Sequence, residues 1–134
     1  MPVESRETIP VIASDDVVRV RQAVRTSAVG IGFSLVEQTK IVTAASEIAR
    51  NTVDYGGGGT LSIEVLREGA RRGVRLTFTD VGPGIADLER AMTDGYTSGN
   101  GLGLGLSGAK RLCNEFDIKS KAGQGTVVTL ARWR

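Results

Sequence analysis

Three short stretches of this 134-residue chain carry residue types whose spacing could do chemistry. In "SEIARN", Glu47 and Asn51 stand four apart, which places them on one face of a helix, a turn from each other. A carboxylate there can accept a proton from a hydroxyl or a water. An amide oxygen one turn on can help hold Mg²⁺, which takes few protein ligands and keeps its waters. Taken alone, the pair reads equally as a solvated Glu–Asn pair on a helix. In "TDVGPGI", Asp80 ends an apolar run and so sits half-buried, where it needs a hydrogen-bond donor. The exocyclic amine of adenine is such a donor, and Gly82 and Gly84 would let backbone approach a flat ring. The bland alternative is a strand-ending Asp-Gly turn. In "GNGLGLGLSG", Gly101, Gly103 and Gly105 free successive N–H groups to face phosphate oxygens, just before a helix start that adds its positive end. By itself this could be no more than a mobile loop.

The elements that must position these residues follow from periodicity. "ETIPVIAS" reads as a first strand, kept to a sheet edge by Pro10. Ser14 looks like the N-cap of a helix with Asp15 and Asp16 in its first turn. Val17, Val20, Val24 and Ala28 form its apolar stripe, and Gly30 and Gly32 end it. A second helix starts near Ser34, with Leu35, Val42, Ala45, Ala49 and Val53 as its buried stripe and "GGGG", 56–59, as its stop. Leu61, Ile63 and Val65, then Val74, Leu76 and Phe78, alternate on either side of the charged turn "REGARRG", a hairpin with one face on helices. "IADLERAM" is a short helix, "LSGAKRLCNEF" another, and "FDIKS" with "TVVTLARW" closes the chain as a hairpin around "KAGQG". The order β-α-α-β-β-α-α-β-β describes an α+β two-layer sandwich, a mixed but mostly antiparallel sheet with its helices on one face.

That order decides one ambiguity. Gly103, Gly105 and Gly108 spell G-x-G-x-x-G, but a dinucleotide fingerprint must follow a strand directly, with an acid about 20 residues on. Here "AMTDGYTSGN" precedes the glycines and Asp117 lies only 14 residues after Gly103. The dinucleotide reading is set aside.

Composition bounds the rest. The chain is long enough for one domain, residues 1–134, with a core that needs no staples. No apolar run approaches the roughly 20 residues of a membrane span, and "MPVESRETIP" lacks an apolar signal core, so the chain reads as cytoplasmic. A single cysteine, Cys113, reads as packing. Residues 1–66 hold 6 basic against 8 acidic side chains, and residues 67–134 hold 11 against 7, a modest positive field that suits a polyphosphate. With 4% aromatics this is too little to argue for nucleic acid. The absence of histidine excludes a histidine base, nucleophile or ligand.

In combination, E-x-x-x-N, D-x-G-x-G and G-x-G-x-G in an α+β sandwich resemble the ATP-binding domain shared by gyrase, Hsp90-type chaperones, sensor histidine kinases and MutL proteins. The resemblance covers nearly the whole chain. It implies that Glu47 and Asn51 form the N-box, with Glu47 as catalytic base and Asn51 holding Mg²⁺. Asp80, Gly82 and Gly84 would form the adenine box, and Gly101, Gly103 and Gly105 the phosphate box. Thr126 in "GQGT" would help read adenine through water. The chain has no residues left for the further domains of gyrase, Hsp90 or MutL, and no histidine to phosphorylate. It therefore resembles the small bacterial serine kinases of partner-switching pathways, in particular the stressosome switch kinases, through "SEIARNT", "DVGPGI", "DGYTSGNGLGLGLSGAKRLCNEFDI" and "ARW". That family implies ATP and Mg²⁺, phosphorylation of STAS-domain partners, and activation of a PP2C-type phosphatase. An anti-sigma factor kinase and a non-catalytic nucleotide-gated module are the alternatives, the latter disfavoured because a pure binder needs no base at Glu47. The segment between the last two glycine-rich boxes is short, which implies a small lid containing Tyr96, Thr97 and Ser98. Arg50, Lys110 and Arg111 could add phosphate or partner contacts, and equally read as solvated charges.

Overall fold

The computed structural model describes residues 3–85 and 106–134. Strand β1 (Val3–Val11) leads to helices α1 (Ser14–Gly30) and α2 (Leu35–Asp54), then to strands β2 (Gly59–Glu68) and β3 (Arg71–Asp80). After helix α3 (Leu106–Arg111) come strands β4 (Glu115–Ser120) and β5 (Thr126–Trp133). The five strands form one sheet in the order β1-β2-β3-β5-β4, and every pairing is antiparallel. Helices cover one face, as the α+β sandwich requires. The expected helix in "IADLERAM" falls on residues 85–92, of which all but Ile85 lie outside the described residues.

Period-2 alternation builds the core side of the sheet. Leu61, Ile63, Val74, Leu76, Phe78, Val128 and Leu130 are buried, each worth about 1.5–3 kcal/mol on leaving water. They meet Val17, Val20, Val24 and Ala28 of α1 and Ile41, Val42, Ala45, Ile48 and Ala49 of α2. Pro10 lies on an edge strand, pairing only across to Thr60, where its missing N–H is harmless.

Several boundaries differ from the sequence reading; β1, for one, spans Val3–Val11 rather than residues 7–14. Ala13, not Ser14, occupies the N-cap position of α1, and the cap is supplied from inside the helix. The Asp16 carboxylate accepts hydrogen bonds from the Ile12 and Ala13 amides at 2.9 and 3.0 Å and pairs with Arg19. These amide bonds hold Asp16 below the usual carboxylate range. By contrast Ser34 caps α2 as expected, in a reciprocal box with Glu37. Leu35 is 72% exposed rather than buried, because nothing packs over the first turn of α2 on that side. The hairpin turn is also tighter than "REGARRG". Glu68 pairs with Arg71 around Gly69–Ala70, with Gly69 at φ +61°, so the arginines continue the strand. Finally, the helix beginning at Leu106 stops at Arg111. Phe116, which the sequence reading placed at the end of this helix, instead alternates with Ile118 along β4, opposite Leu130 and Val128 of β5.

Candidate active site

Counting inward from the apolar core, each of three strands ends in a polar residue on the helix-facing side. Val74, Leu76 and Phe78 are followed by Asp80. Leu130 and Val128 are preceded by Thr126, and Phe116 and Ile118 are followed by Ser120. Register joins them into one row across the sheet end: Gly59 opposite Asp80, Asp80 opposite Thr126, Thr126 opposite Ser120. The C-terminal half of α2 lies against this row. Ile48, Asn51, Thr52, Tyr55, Phe78, Asp80, Ile85, Leu106, Thr126 and Val128 line one pocket. Its walls are mostly apolar, with a few polar groups, and the cavity measures about 20 Å³.

Three of the residues singled out from the sequence thus meet: Asn51, Asp80 and Thr126. Glu47 lies half-buried one helical turn before Asn51, outside the pocket wall. Gly101, Gly103 and Gly105 lie outside the described residues, as do Tyr96, Thr97 and Ser98. The chain leaves the described structure at Ile85 and returns at Leu106, both in the pocket wall. Arg50, Lys110 and Arg111 are exposed, in keeping with surface charges.

Asp80 is half-buried, and among the described residues no cation lies beside it. Its carboxylate accepts hydrogen bonds from the backbone amides of Gly82, at 2.9 Å, and Thr126. Burial nonetheless pushes its pKa up, against the pull of those two amides. A carboxylate offers about four acceptor positions, so Asp80 keeps capacity for a ligand donor.

The glycines around Asp80 have a nearer task than the one first assigned to them. A Cβ on Gly82 would lie 2.4 Å from the Gly56 carbonyl oxygen. One on Gly84, at φ +72°, would lie 2.0 Å from the Lys121 carbonyl oxygen. They admit other backbone, which sets the 81–85 loop against the end of α2 and the β4–β5 turn. Three further bonds hold that loop: Tyr55 Oη donates to the Gly84 carbonyl at 3.1 Å, Gly123 N to the Pro83 carbonyl at 2.6 Å, and Ile85 N to Ser120 Oγ at 2.7 Å. Sequence reasoning missed Tyr55 and Ser120. The signal available for Ser120 was that it continues the Phe116, Ile118 alternation, as Asp80 continues that of its own strand.

Cys113 is packed beside the core, where burial pushes its thiol up to about 11, so it is inert as read. No helix among the described residues is long and apolar enough to cross a membrane.

Comparison with known proteins places this arrangement. Residues 36–134 match the family of histidine kinase-, DNA gyrase B- and HSP90-like ATPases, and the chain belongs to that family. Among its relatives is the serine/threonine-protein kinase RsbT of Bacillus subtilis, 38% identical over 131 residues, 98% of each chain. An anti-sigma F factor of Pasteuria penetrans is 32% identical over 84% of this chain and 79% of its own. The sensor-like histidine kinase SenX3 of Mycobacterium tuberculosis is 35% identical over 81% of this chain but only 29% of its own length.

Proposed function

We propose that this protein is an ATP-dependent serine/threonine protein kinase of a bacterial partner-switching pathway, which phosphorylates STAS-domain proteins and, when released, binds and activates a PP2C-type phosphatase in the cytoplasm. The observation that carries the reading is the union of Asn51, Asp80 and Thr126 in one pocket, in a chain alike along nearly its whole length to a serine/threonine-protein kinase.

In this reading the adenine edge donates its exocyclic amine toward Asp80, and Thr126 takes part in that recognition. Gly82 and Gly84 shape the loop beside the ring, and the amides of Gly101, Gly103 and Gly105 receive the phosphates. Glu47, half-buried one turn before Asn51, takes the proton of the acceptor hydroxyl. The Asn51 amide oxygen is a hard donor of the kind Mg²⁺ accepts, and its place in the pocket wall fits that role. Bound Mg²⁺ would neutralise charge developing on the phosphates. What the chain's own residues supply is position and charge stabilisation, which is most of what phosphoryl transfer asks of a protein.

The test is transfer of labelled phosphate from MgATP to a purified STAS-domain protein, beside a Glu47→Ala control. Label should reach a serine or threonine of the partner only when Glu47 is present, with loss of at least about 100-fold in the variant and little change in ATP affinity. Equal losses of transfer and of binding would remove Glu47 from the role of base.

The anti-sigma F factor relative supports a second reading, a kinase that sequesters a sigma factor. Co-purification with a sigma factor, in place of transfer to a STAS protein that frees a phosphatase activator, would favour it.

A further inference from the structure

The hydrogen-bond directions around the pocket are fixed by the number of protons available. Besides the Asn51 amide, its polar side chains are Thr52, Tyr55, Asp80 and Thr126. Thr52 Oγ1 donates its one proton to the Ile48 carbonyl at 2.9 Å, and Tyr55 Oη donates its own to the Gly84 carbonyl at 3.1 Å. Asp80, when ionised, has none to give.

Thr126 is decided by Ser120. Ser120 Oγ lies 2.9 Å from the Gly125 carbonyl oxygen, an atom that can only accept, so the serine proton is placed there. Ser120 Oγ also accepts from Ile85 N at 2.7 Å. Its remaining contact, 2.8 Å to Thr126 Oγ1, therefore takes the Thr126 proton. With that proton turned away into the sheet, Thr126 offers the pocket only lone pairs.

We propose that Ser120, a residue outside the pocket wall, sets the purine preference of this site. By holding the Thr126 proton it keeps the Thr126 hydroxyl beside Asp80 acceptor-only, so that a 6-amino purine is preferred over a 6-keto purine. The inference rests on the reading that this pocket holds the base of ATP. A keto oxygen would face the lone pairs of both Asp80 and Thr126, its nearest proton being the adjacent N1–H, and a buried acceptor left unpaired is penalised by about a factor of ten or more. Ser120 is a positioning residue: it acts through Thr126.

The experiment is calorimetric titration of the full chain with MgATP and with MgITP, which replaces the 6-amino group by a keto oxygen. Wild type, Ser120→Ala and Ser120→Thr are compared. Wild type should prefer ATP. In Ser120→Ala the Thr126 hydroxyl loses its acceptor and can turn to donate to a keto oxygen, so the ATP-to-ITP affinity ratio should narrow about tenfold. Ser120→Thr, which keeps the hydroxyl, should keep the ratio. A purely structural role, through the lost bond to Ile85 N, would weaken both nucleotides alike, and an unchanged ratio overturns the proposal while leaving the adenine reading intact. If wild type binds no ATP, the adenine reading fails with it. A second route uses Thr126→Val, in which adding Ser120→Ala should change the ratio no further. A further narrowing there would also overturn the proposal.

Discussion

Asp80 and Glu64 are both drawn out of water on the same sheet, Asp80 facing the helices and Glu64 facing away, and their surroundings differ in kind. Glu64 is 5% exposed and meets two cations. Arg6 reaches its Oε2 through Nη2 at 2.6 Å and Nε at 3.1 Å, and Arg75 Nε reaches Oε1 at 2.8 Å. The Arg75 bond, with Arg6 behind it, holds Glu64 below the usual carboxylate range despite its burial. Asp80 meets two backbone amides and, among the described residues, no cation, and burial pushes it up. One carboxylate is saturated by the fold. The other is held in place with acceptor capacity to spare, in a pocket wall. Burial alone therefore does not separate the two carboxylates; how far each is satisfied among the described residues does.

The outer face repeats the saturated pattern elsewhere. Trp133 lies against Gly73, where a Cβ would sit 2.8 Å from the ring. Arg71 stacks on it at 5.0 Å and the indole N–H donates to Glu115 at 2.9 Å. These contacts of Trp133 are all made within the protein.

Substitutions can break this contrast. The largest stability effect should come from Gly84→Ala at the site end, where φ +72° and the 2.0 Å approach to the Lys121 carbonyl leave no room. A loss of about 3 kcal/mol in denaturant unfolding, together with loss of ATP binding, is expected. A loss within the ordinary range of a surface change would show that the loop is not held as described. Next is Glu64→Gln, which takes a charge from between two arginines. It should lower stability by about 2 kcal/mol and leave ATP affinity unchanged. A change in ATP affinity would erase the distinction between the two faces.

The pH dependence sharpens the same contrast with a smaller effect. Glu64 has a lowered folded pKa, so its stabilisation is present above its unfolded value and is lost as pH falls through the folded value. Asp80 has a raised folded pKa, so its contribution favours the folded state at low pH and is lost as pH rises through that value. Glu64→Gln should therefore flatten the acid arm of the stability curve, whereas Asp80→Asn should steepen it. Unfolding measured from about pH 7 down to about pH 2 would show either slope, and the same slope in both variants would contradict the assignments.

The contrast also explains what the sequence could reveal. Asp80 was legible because it ends an apolar strand with glycines beside it, and Thr126 only through the family resemblance of "GQGT". The stripe of α1 and the cap at Ser34 were legible for local reasons too. Ser120 and Tyr55 were not, since each matters through a partner distant along the chain, Ile85 and Gly84. Such bonds exist only once the sheet register is set. Leu35 misled because periodicity names a face of a helix but not how far the neighbouring elements cover it. Ser14 misled because the Asp16 carboxylate reaches back to the Ile12 and Ala13 amides, so that the helix starts one residue earlier with Ala13 at the N-cap.

The central claim, that Asp80 is the buried acceptor kept for a nucleotide base, is tested most directly by titrating MgATP into wild type and Asp80→Asn while following thermal unfolding of the same samples. Affinity should fall by at least about 30-fold, since a charged acceptor is lost from a desolvated site, with both proteins unfolding within a few degrees of each other. Equal ATP affinity in the two folded proteins would contradict the account.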